Sequence, residues 1–464
     1  AGAGALLAHK FGRTAETDGF LAAYGVYLLL VLAAQAFRMV VVPELTRAHA
    51  EGRLAGELRA YAIAFLSFAA PVSVFVALFS HRLGDAITGT LPPSASSIAA
   101  RALEVLVPAA FVQLLAALAA SALAALDSYG AAAAGFAAGG VSGLVVFAAL
   151  ANHSGLIALA WGLAVNAAVS LAVPLVALLR KGALRGSTHA RVAVGSRLLH
   201  LGQGASIPIA LQVCYLLGLR LASKLGVGQV TSLTYAYLFA STLVTATAFS
   251  LGIVSSAPLT RRGFDPVEAA RHVVHAAWVS LVLVGAAAGI FALVGGRLVE
   301  LVLGNAYSGG IGAALGRLVV WLAPWMLAWV CFALTFPLVF VARRQRVAPL
   351  FAAAAVAVFV PVGLAFRSAW GLDGIGAALG VSTFAIGLGL MWSLSSRTLA
   401  LASLGLTRLG LAIGAAAALA FGGLALALAP IPAAAVGVLV YGLIILAFRS
   451  LGLAEAWTYV RGLR

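Results

Sequence analysis

The chain has 464 residues, of which 63% are hydrophobic and only 9% are charged, and its mean hydropathy is +1.09. Soluble domains carry about 25% charged residues, so this composition excludes a soluble enzyme. The net charge of +16 would suggest nucleic-acid binding in a soluble protein, but the positions of the basic residues give it a simpler cause.

Apolar segments recur along the whole chain, and each is close to the ~20 residues that a helix needs to cross a bilayer. Because only helices and closed barrels satisfy their backbone groups in lipid, we predict an all-α polytopic membrane protein with about fourteen spans. The first, at 1–9, is a truncated helix end. The complete spans are predicted at 19–42, 60–80, 102–126, 130–151, 156–179, 200–223, 230–254, 273–294, 317–341, 348–366, 375–394, 408–429 and 431–448.

Lysine and arginine are distributed unevenly between the two sides that these spans define. With the loop that holds Lys10 and Arg13 placed outside, the inside carries 19 basic residues and the outside carries nine. Cytoplasmic loops carry the excess of basic residues in membrane proteins, which predicts this orientation. Anionic lipids of the inner leaflet, rather than nucleic acid, are therefore the expected partners. The loops are too short to hold a folded domain.

The sequence repeats itself at an offset of 214–216 residues. Two six-span halves, 1–195 and 196–400, are therefore predicted, related by a pseudo-two-fold axis along the membrane normal, as in transporters with a central cavity between two lobes. Residues 401–464 form an added helix pair with a cytoplasmic tail. The repeat also predicts that helix one begins about fifteen residues before Ala1. The matched segments are Lys10-Phe11-Gly12 with Lys224-Leu225-Gly226, Leu45-Thr46-Arg47 with Leu259-Thr260-Arg261, Arg82-Leu83 and Gly89 with Arg297-Leu298 and Gly304, and Pro108 with Pro324.

The segment from Leu7 to Tyr24, which reads LAHKFGRTAETDGFLAAY, resembles the end of helix one and the start of helix two in the MurJ/MviN lipid II flippases. That family typically shows Arg-x-Phe-Gly and then Thr-Asp-Ala-Phe-Phe-x-Ala-Phe at this place. The count of twelve spans plus two is also similar, and the wider group is the multidrug, oligosaccharidyl-lipid and polysaccharide (MOP) exporter superfamily. Further similar segments are Pro43-x-Leu45, Leu251-Gly252-Ile253 and Pro258-Leu259.

The resemblance implies a multi-pass flippase of the bacterial plasma membrane. It would translocate a polyprenyl-linked glycan, such as the peptidoglycan precursor lipid II or a related lipid-linked saccharide, by alternating access. Proteins of cell-envelope synthesis are further partners that it implies, and neither catalysis nor a cofactor is expected. The positions of the family's cavity charges hold Ala3 and Gly4 in helix one and Tyr237 and Leu238 in helix eight, so the expected cavity is polar but uncharged.

The candidate substrate-binding residues are polar groups in or near the spans. Each also has a structural alternative: Asp18 or Thr17 as the N-cap of span two, Arg38 as a residue that snorkels to the lipid surface, and the others as interfacial anchors or helix–helix hydrogen-bonding groups. The candidates are Asp18, Gln35, Arg38, Gln113, Gln212, Arg220, Lys224, Thr242 and Thr245.

Other functions remain open at this point. A charge-poor, Thr-rich cavity also suits a small-molecule or drug antiporter of the same superfamily, and a third alternative is a non-transporting paralogue in envelope synthesis. Glu16-x-Asp18 in an outer loop is a pattern of some membrane glycosyltransferases, but the outer loops leave little room for an acceptor. Cys214 and Cys331 lie in apolar segments, which indicates core residues rather than a metal site. The glycines of 374–380 are typical of close helix packing.

Overall fold

The computed structural model describes residues 2–184, 194–245, 247, 265–342 and 344–447. Regular structure in these ranges is helical throughout, which confirms the predicted all-α membrane fold. The fourteen helices are α1 (Gly2–Phe11), α2 (Ala15–Ala50), α3 (Leu54–Thr88), α4 (Pro93–Ala125), α5 (Tyr129–Ser154), α6 (Ile157–Arg180), α7 (Val194–Ser223), α8 (Gln229–Val244), α9 (Pro266–Leu303), α10 (Gly309–Trp321), α11 (Ala323–Val341), α12 (Ala348–Leu394), α13 (Ser396–Ala417) and α14 (Pro430–Ala447). Helix α13 continues through a π-helical turn, Ala418–Gly422, into Gly423–Ala425.

Ten helical segments among the described residues are long and apolar enough to cross a bilayer, against thirteen complete spans predicted. The predicted spans 348–366 and 375–394 form one helix, α12, with a kink at Gly371. The predicted spans 19–42 and 230–254 correspond to α2 and α8, which are not among the ten. The end of the predicted span 230–254 lies outside the described residues. The number of membrane crossings that the sequence predicts is therefore larger than the number of helices counted by length and composition.

Several helices extend beyond their predicted apolar segments. Helix α4 begins at Pro93 rather than near residue 102, and α3 runs for 35 residues. At 1.5 Å per residue α3 is about 52 Å long, whereas the hydrocarbon core is about 30 Å thick. Hydropathy detects only the part of a helix that lies in hydrocarbon, so the polar end turns of these helices escaped the prediction.

Helix boundaries recur at the spacing of the sequence repeat. The range Pro93–Ala125 of α4, shifted by 216 positions, gives 309–341, which α10 and α11 cover with a break at Leu322. Gly155 and Gly371, also 216 apart, both have φ +58° at helix junctions. The matched segment Leu259-Thr260-Arg261 lies outside the described residues.

By packing, the chain divides into two compact units, residues 1–231 and 232–464. In the first unit α2 packs against α4 and α7, α3 against α4 and α7, and α5 against α6. The division into 1–195, 196–400 and 401–464 stays a prediction about the repeat; packing places α7, the first helix of the second predicted half, with the first six helices.

Glycines of α5 and α12, including those predicted at 374–380, form close helix contacts. In the first unit, a Cβ atom at Gly139 of α5 would lie 2.7 Å from the backbone oxygen of Asn166 on α6. In the second unit, a Cβ atom at Gly380 of α12 would lie 3.2 Å from the backbone nitrogen of Trp325 on α11. A side chain at Gly139 would therefore overlap the backbone of Asn166, and one at Gly380 would press tightly against the backbone of Trp325.

The last two helices are joined to α9 in the second unit by large side chains that lie on glycines. A Cβ atom at Gly289 of α9 would lie 2.1 Å from the ring of Phe421, and one at Gly437 of α14 would lie 2.6 Å from the same ring. The Tyr441 hydroxyl of α14 donates to the backbone oxygen of Val282 at 2.9 Å. Phe421 thus fills the space that both glycines leave open.

Candidate functional site

Asp18, the acidic residue matched by motif, caps the start of α8. Its side chain is 0% exposed. Asp18 Oδ2 accepts from the Gly228 backbone N–H at 2.5 Å, and Oδ1 accepts from the Thr231 backbone N–H at 2.8 Å and from the Thr231 hydroxyl. Thr231 is the third residue of α8, so Asp18 occupies the place of an N-cap side chain. A carboxylate there also compensates the positive end of the helix dipole.

Arg13 holds the same loop from the other side. Its Nε donates to the Gly228 backbone oxygen at 3.1 Å, and Gly228 has φ +84°, a conformation that favours glycine. A Cβ atom at Gly228 would lie 2.6 Å from Arg13 Nε. We call Arg13, Asp18, Gly228 and Thr231 the Asp18 clasp. It ties the loop between α1 and α2 to the loop between α7 and α8.

The Asp18 carboxyl lies just outside the predicted span 19–42. Burial raises its pKa above the ordinary value, while the hydrogen bonds from Thr231 and Gly228 and the charge of Arg13 act in the opposite direction.

Helix α2 is capped by another residue. Helix α2 begins at Ala15 and is capped by Thr14, whose Oγ1 accepts from the Thr17 backbone N–H at 3.2 Å. The prediction that Thr17 or Asp18 caps its own helix is therefore wrong, because the helix starts three residues earlier.

Gln212 contacts the backbone of α2 near the middle of α7. Its Nε2 donates to the Gly25 oxygen at 3.4 Å, and a Cβ atom at Gly25 would lie 2.8 Å from Leu216 Cδ2. The Oε1 atoms of Gln212 and of Gln113 on α4 are buried and accept no hydrogen bond from a described residue. Two buried amide oxygens thus have no hydrogen-bond donor among the described residues.

At the predicted inner end, a charged cluster joins α7 to α3. Arg197 Nη1 lies 2.6 Å from Glu57 Oε2, and its guanidinium carbon lies 4.7 Å from the centre of the Tyr61 ring. The Tyr61 hydroxyl donates to Glu44 of α2, and Arg53 Nη1 lies 3.5 Å from Glu57 Oε1. We call Glu44, Arg53, Glu57, Tyr61 and Arg197 the inner cluster.

The remaining candidates lie on α2 and α8 and at the end of α7. Helix α2 passes through Gln35 and Arg38, whose side chains lie outside the described part of the chain. Arg220 and Lys224, at the end of α7, are exposed. Thr242 is exposed and donates to the backbone oxygen of Leu238 at 2.7 Å, and Thr245 is half-buried at the end of α8. Their roles in binding stay predictions.

Sequence reasoning missed several partners of these residues. Thr231 and Gly228 contact Asp18 across more than 200 positions. Arg197 is one of the 19 basic residues predicted inside, but no sequence pattern indicated its ion pair with Glu57. One signal was present: the repeat aligns Thr14, the cap of α2, with Gly228, which has no side chain for capping α8. Among the described residues, no three His, Cys, Asp or Glu side chains form a group that could hold a metal ion.

Solved structures share this arrangement of helices across nearly the whole chain. A lipid II flippase MurJ in an inward closed conformation is 14% identical, with a TM-score of 0.73 over 97% of this chain and 96% of that one. The chain has a MOP-transporter fold. A multidrug resistance MATE transporter of the MOP superfamily, in an inward-facing conformation, is 12% identical with a TM-score of 0.67 over 88% and 94%. A mutant of the Vibrio cholerae MATE transporter VcmN is 12% identical with a TM-score of 0.59 over 84% and 90%.

No family model and no characterised relative matches the sequence, so the likeness lies in the MOP-transporter fold alone. The fold expected from the resemblance of residues 7–24 is confirmed by these structures, and the protein is a multi-pass membrane protein. Identities of 12–15% leave the transported substrate to be argued from the site.

Proposed function

We propose that the protein is a flippase that moves a polyprenyl-linked glycan, such as lipid II or a related lipid-linked saccharide, across the bacterial plasma membrane. The observation that carries this proposal is the match to a lipid II flippase over 97% of the chain. Translocation breaks no covalent bond in the substrate, so the protein needs no catalytic residue. The buried amide oxygens of Gln113 and Gln212 would accept hydrogen bonds from sugar hydroxyl groups.

The attachments of α7 suggest how access alternates. At its predicted outer end the Asp18 clasp holds the loop that follows α7, and at its predicted inner end the inner cluster holds Arg197. Rocking of the six-helix halves, as in other two-lobe transporters, would require α7 to part from α2 and α3, against which it packs, and only one attachment would have to release at a time. We propose that release of the Asp18 clasp opens the outer side and that release of the inner cluster opens the inner side.

Complementation tests the substrate. A host depleted of its own lipid II flippase would express this protein while growth and the exposure of lipid II outside the cell are followed. Rescue with lipid II exposed supports the proposal. Absence of rescue, with the protein shown to be inserted, contradicts lipid II as the substrate.

A drug antiporter is the second candidate, because a multidrug MATE transporter shares the fold with a TM-score of 0.67 and because the buried polar groups Gln113 and Gln212 are uncharged. The two candidates separate in proteoliposomes that hold either a fluorescent lipid-linked saccharide or a cationic dye. Translocation of the lipid without dye efflux supports the flippase. Ion-dependent dye efflux without lipid translocation supports the antiporter.

Cysteine labelling tests the alternation of the two attachments. Gln212→Cys, in a background without Cys214 and Cys331, would report access from each side. Asp18→Asn is expected to increase labelling by an impermeant reagent added outside, and Arg197→Gln to increase labelling from inside. Glu16→Gln and Arg59→Gln are the controls, because both residues are exposed on the same helices as the clasp and the cluster. Equal labelling in all four variants contradicts the mechanism.

A further inference from the structure

A cavity of about 310 Å³ lies between α11, the second part of α12 and α13 in the second unit. Ten of its twelve lining residues are apolar or glycine, and the two polar ones are Ser403 and Thr407. A cavity of about 150 Å³ lined by apolar side chains binds benzene and stays dry. A cavity twice that size therefore suits an apolar ligand much longer than a benzene ring.

The cavity opens on the apolar surface of the spans. At its mouth Leu388 is 46% exposed and Leu411 is 70% exposed, whereas Cys331 on its floor is 4% exposed. Exposed leucines on membrane-spanning helices contact lipid chains, because a water-filled site would be lined by polar groups. The mouth thus opens toward hydrocarbon.

The position of Arg408 places the mouth near the predicted inner surface of the bilayer. Helix α13 and its continuation cover 30 residues, Ser396–Ala425, whereas about 20 residues cross the hydrocarbon core. The span predicted from the sequence begins at Arg408, which places the residues of α13 before it among headgroups and Arg408 near the boundary. Arg408 is exposed, follows the lining residue Thr407 directly, and forms an ion pair with none of the described carboxylates.

We propose that this cavity binds an anionic phospholipid of the inner leaflet, with one acyl chain between α11, α12 and α13 and the phosphate at Arg408. The acyl chain fills apolar space, and the arginine attracts the anionic headgroup as basic residues at the cytoplasmic surface do. The site is separate from the residues to which we assign substrate transport, and the proposal does not depend on which molecule the protein moves.

Two glycines allow the cavity to be filled without a clash. A Cβ atom at Gly387 would meet no atom closer than Cys331 Cβ at 3.9 Å, and one at Gly410 none closer than Leu327 Cδ2 at 3.9 Å. Gly414 lies one turn after Gly410 on α13, does not line the cavity and has no atom within 4 Å of its Cβ position. Gly414→Leu is therefore the matched control for Gly410→Leu, because both changes add the same side chain to the same helix.

Native mass spectrometry of the purified protein, titrated with dioleoyl-phosphatidylglycerol or dioleoyl-phosphatidylcholine, tests the site. We expect one tightly retained lipid, with preference for the anionic one. Gly410→Leu and Gly387→Leu are each expected to weaken its binding roughly tenfold or more, since several methylene contacts are lost. Gly414→Leu should bind as the unaltered protein does. Arg408→Gln is expected to weaken phosphatidylglycerol binding about fivefold, and Arg397→Gln to leave it unchanged.

Retention of the lipid by both Gly410→Leu and Gly387→Leu, the variants that fill the cavity, would overturn the proposal. Equal binding of the two lipids by the unaltered protein would overturn it as well. Arg408→Gln alters only an exposed side chain, so it keeps the test valid if a filled variant does not fold: an unchanged preference for phosphatidylglycerol in this variant would also overturn the proposal. Displacement of the retained lipid by a polyprenyl phosphate would assign the cavity to a prenyl chain instead.

Discussion

The starts of α2 and α8 occupy equivalent places in the sequence repeat, 214 residues apart, but are capped in different ways. Thr14, directly before α2, caps its own helix. Its counterpart before α8 is Gly228, which has no side chain, and Asp18 from α2 supplies the cap instead. The start of α2 is thus capped by the residue directly before it, whereas the start of α8 depends on a residue of α2. A contact between the predicted halves replaces one that α8 could have formed alone.

The largest effect is expected from Asp18→Ala. This change leaves the buried backbone N–H groups of Gly228 and Thr231 without their acceptor, which costs about 2–4 kcal/mol in the free energy of unfolding. SDS titration of the purified protein measures the loss. Glu16→Ala removes an exposed acid from the same helix turn and should change stability by less than about 0.5 kcal/mol. Equal effects of the two changes would mean that Asp18 acts only through the dipole of its own helix.

A smaller effect is expected from Gly228→Ala, measured against Gly226→Ala. Both glycines have a positive φ, +84° and +118°, so both changes strain the backbone by about 1–3 kcal/mol. Only the first also displaces the Arg13 guanidinium, which would lose its hydrogen bond to the Gly228 oxygen, and we expect an additional loss of about 1–2 kcal/mol in the same titration. If the two variants are equally stable, Arg13 moves aside without cost and does not hold the loop.

The smallest effect is expected from Thr14→Ala, which removes the cap of α2 and should cost about 1 kcal/mol. Because the clasp does not use the Thr14 side chain, cysteine labelling at position 212 should stay unchanged. Thr46→Ala, which removes an exposed hydroxyl bonded within α2, serves as the control. A loss of 3 kcal/mol or more on Thr14→Ala would show that the start of α2 also depends on contacts elsewhere.

Hydropathy predicted the helical membrane fold because it follows from the transfer of each apolar segment into hydrocarbon, a condition that each segment satisfies by itself. The repeat likewise predicted that Gly304 matches Gly89, and both glycines cap long helices with a positive φ. The ends of α3 and α4 were less predictable, since the turns beyond the hydrocarbon core are polar and carry no hydropathy signal.

The candidate site was predictable only in part. Asp18 was found by motif, but its partners Gly228 and Thr231 were not, because the contact depends on how two loops far apart in sequence meet in the fold. The same holds for Arg197 and Glu57, which are 140 positions apart. The side-chain environment of Gln113 followed only from the structure, since the sequence does not tell which face of an almost uniformly apolar helix is buried.

The contact of Phe421 with Gly289 and Gly437 has a consequence for biogenesis. Helix α9 enters the membrane while more than a hundred residues of the chain remain to be synthesised, and its glycine face then borders lipid. The contact is complete only when Phe421 and Gly437 have both been inserted, so this part of the protein closes well after α9 has entered the membrane. Nascent chains that stop before Pro430 should therefore remain sensitive to protease, and chains that extend through α14 should become resistant within the time that this helix needs to insert.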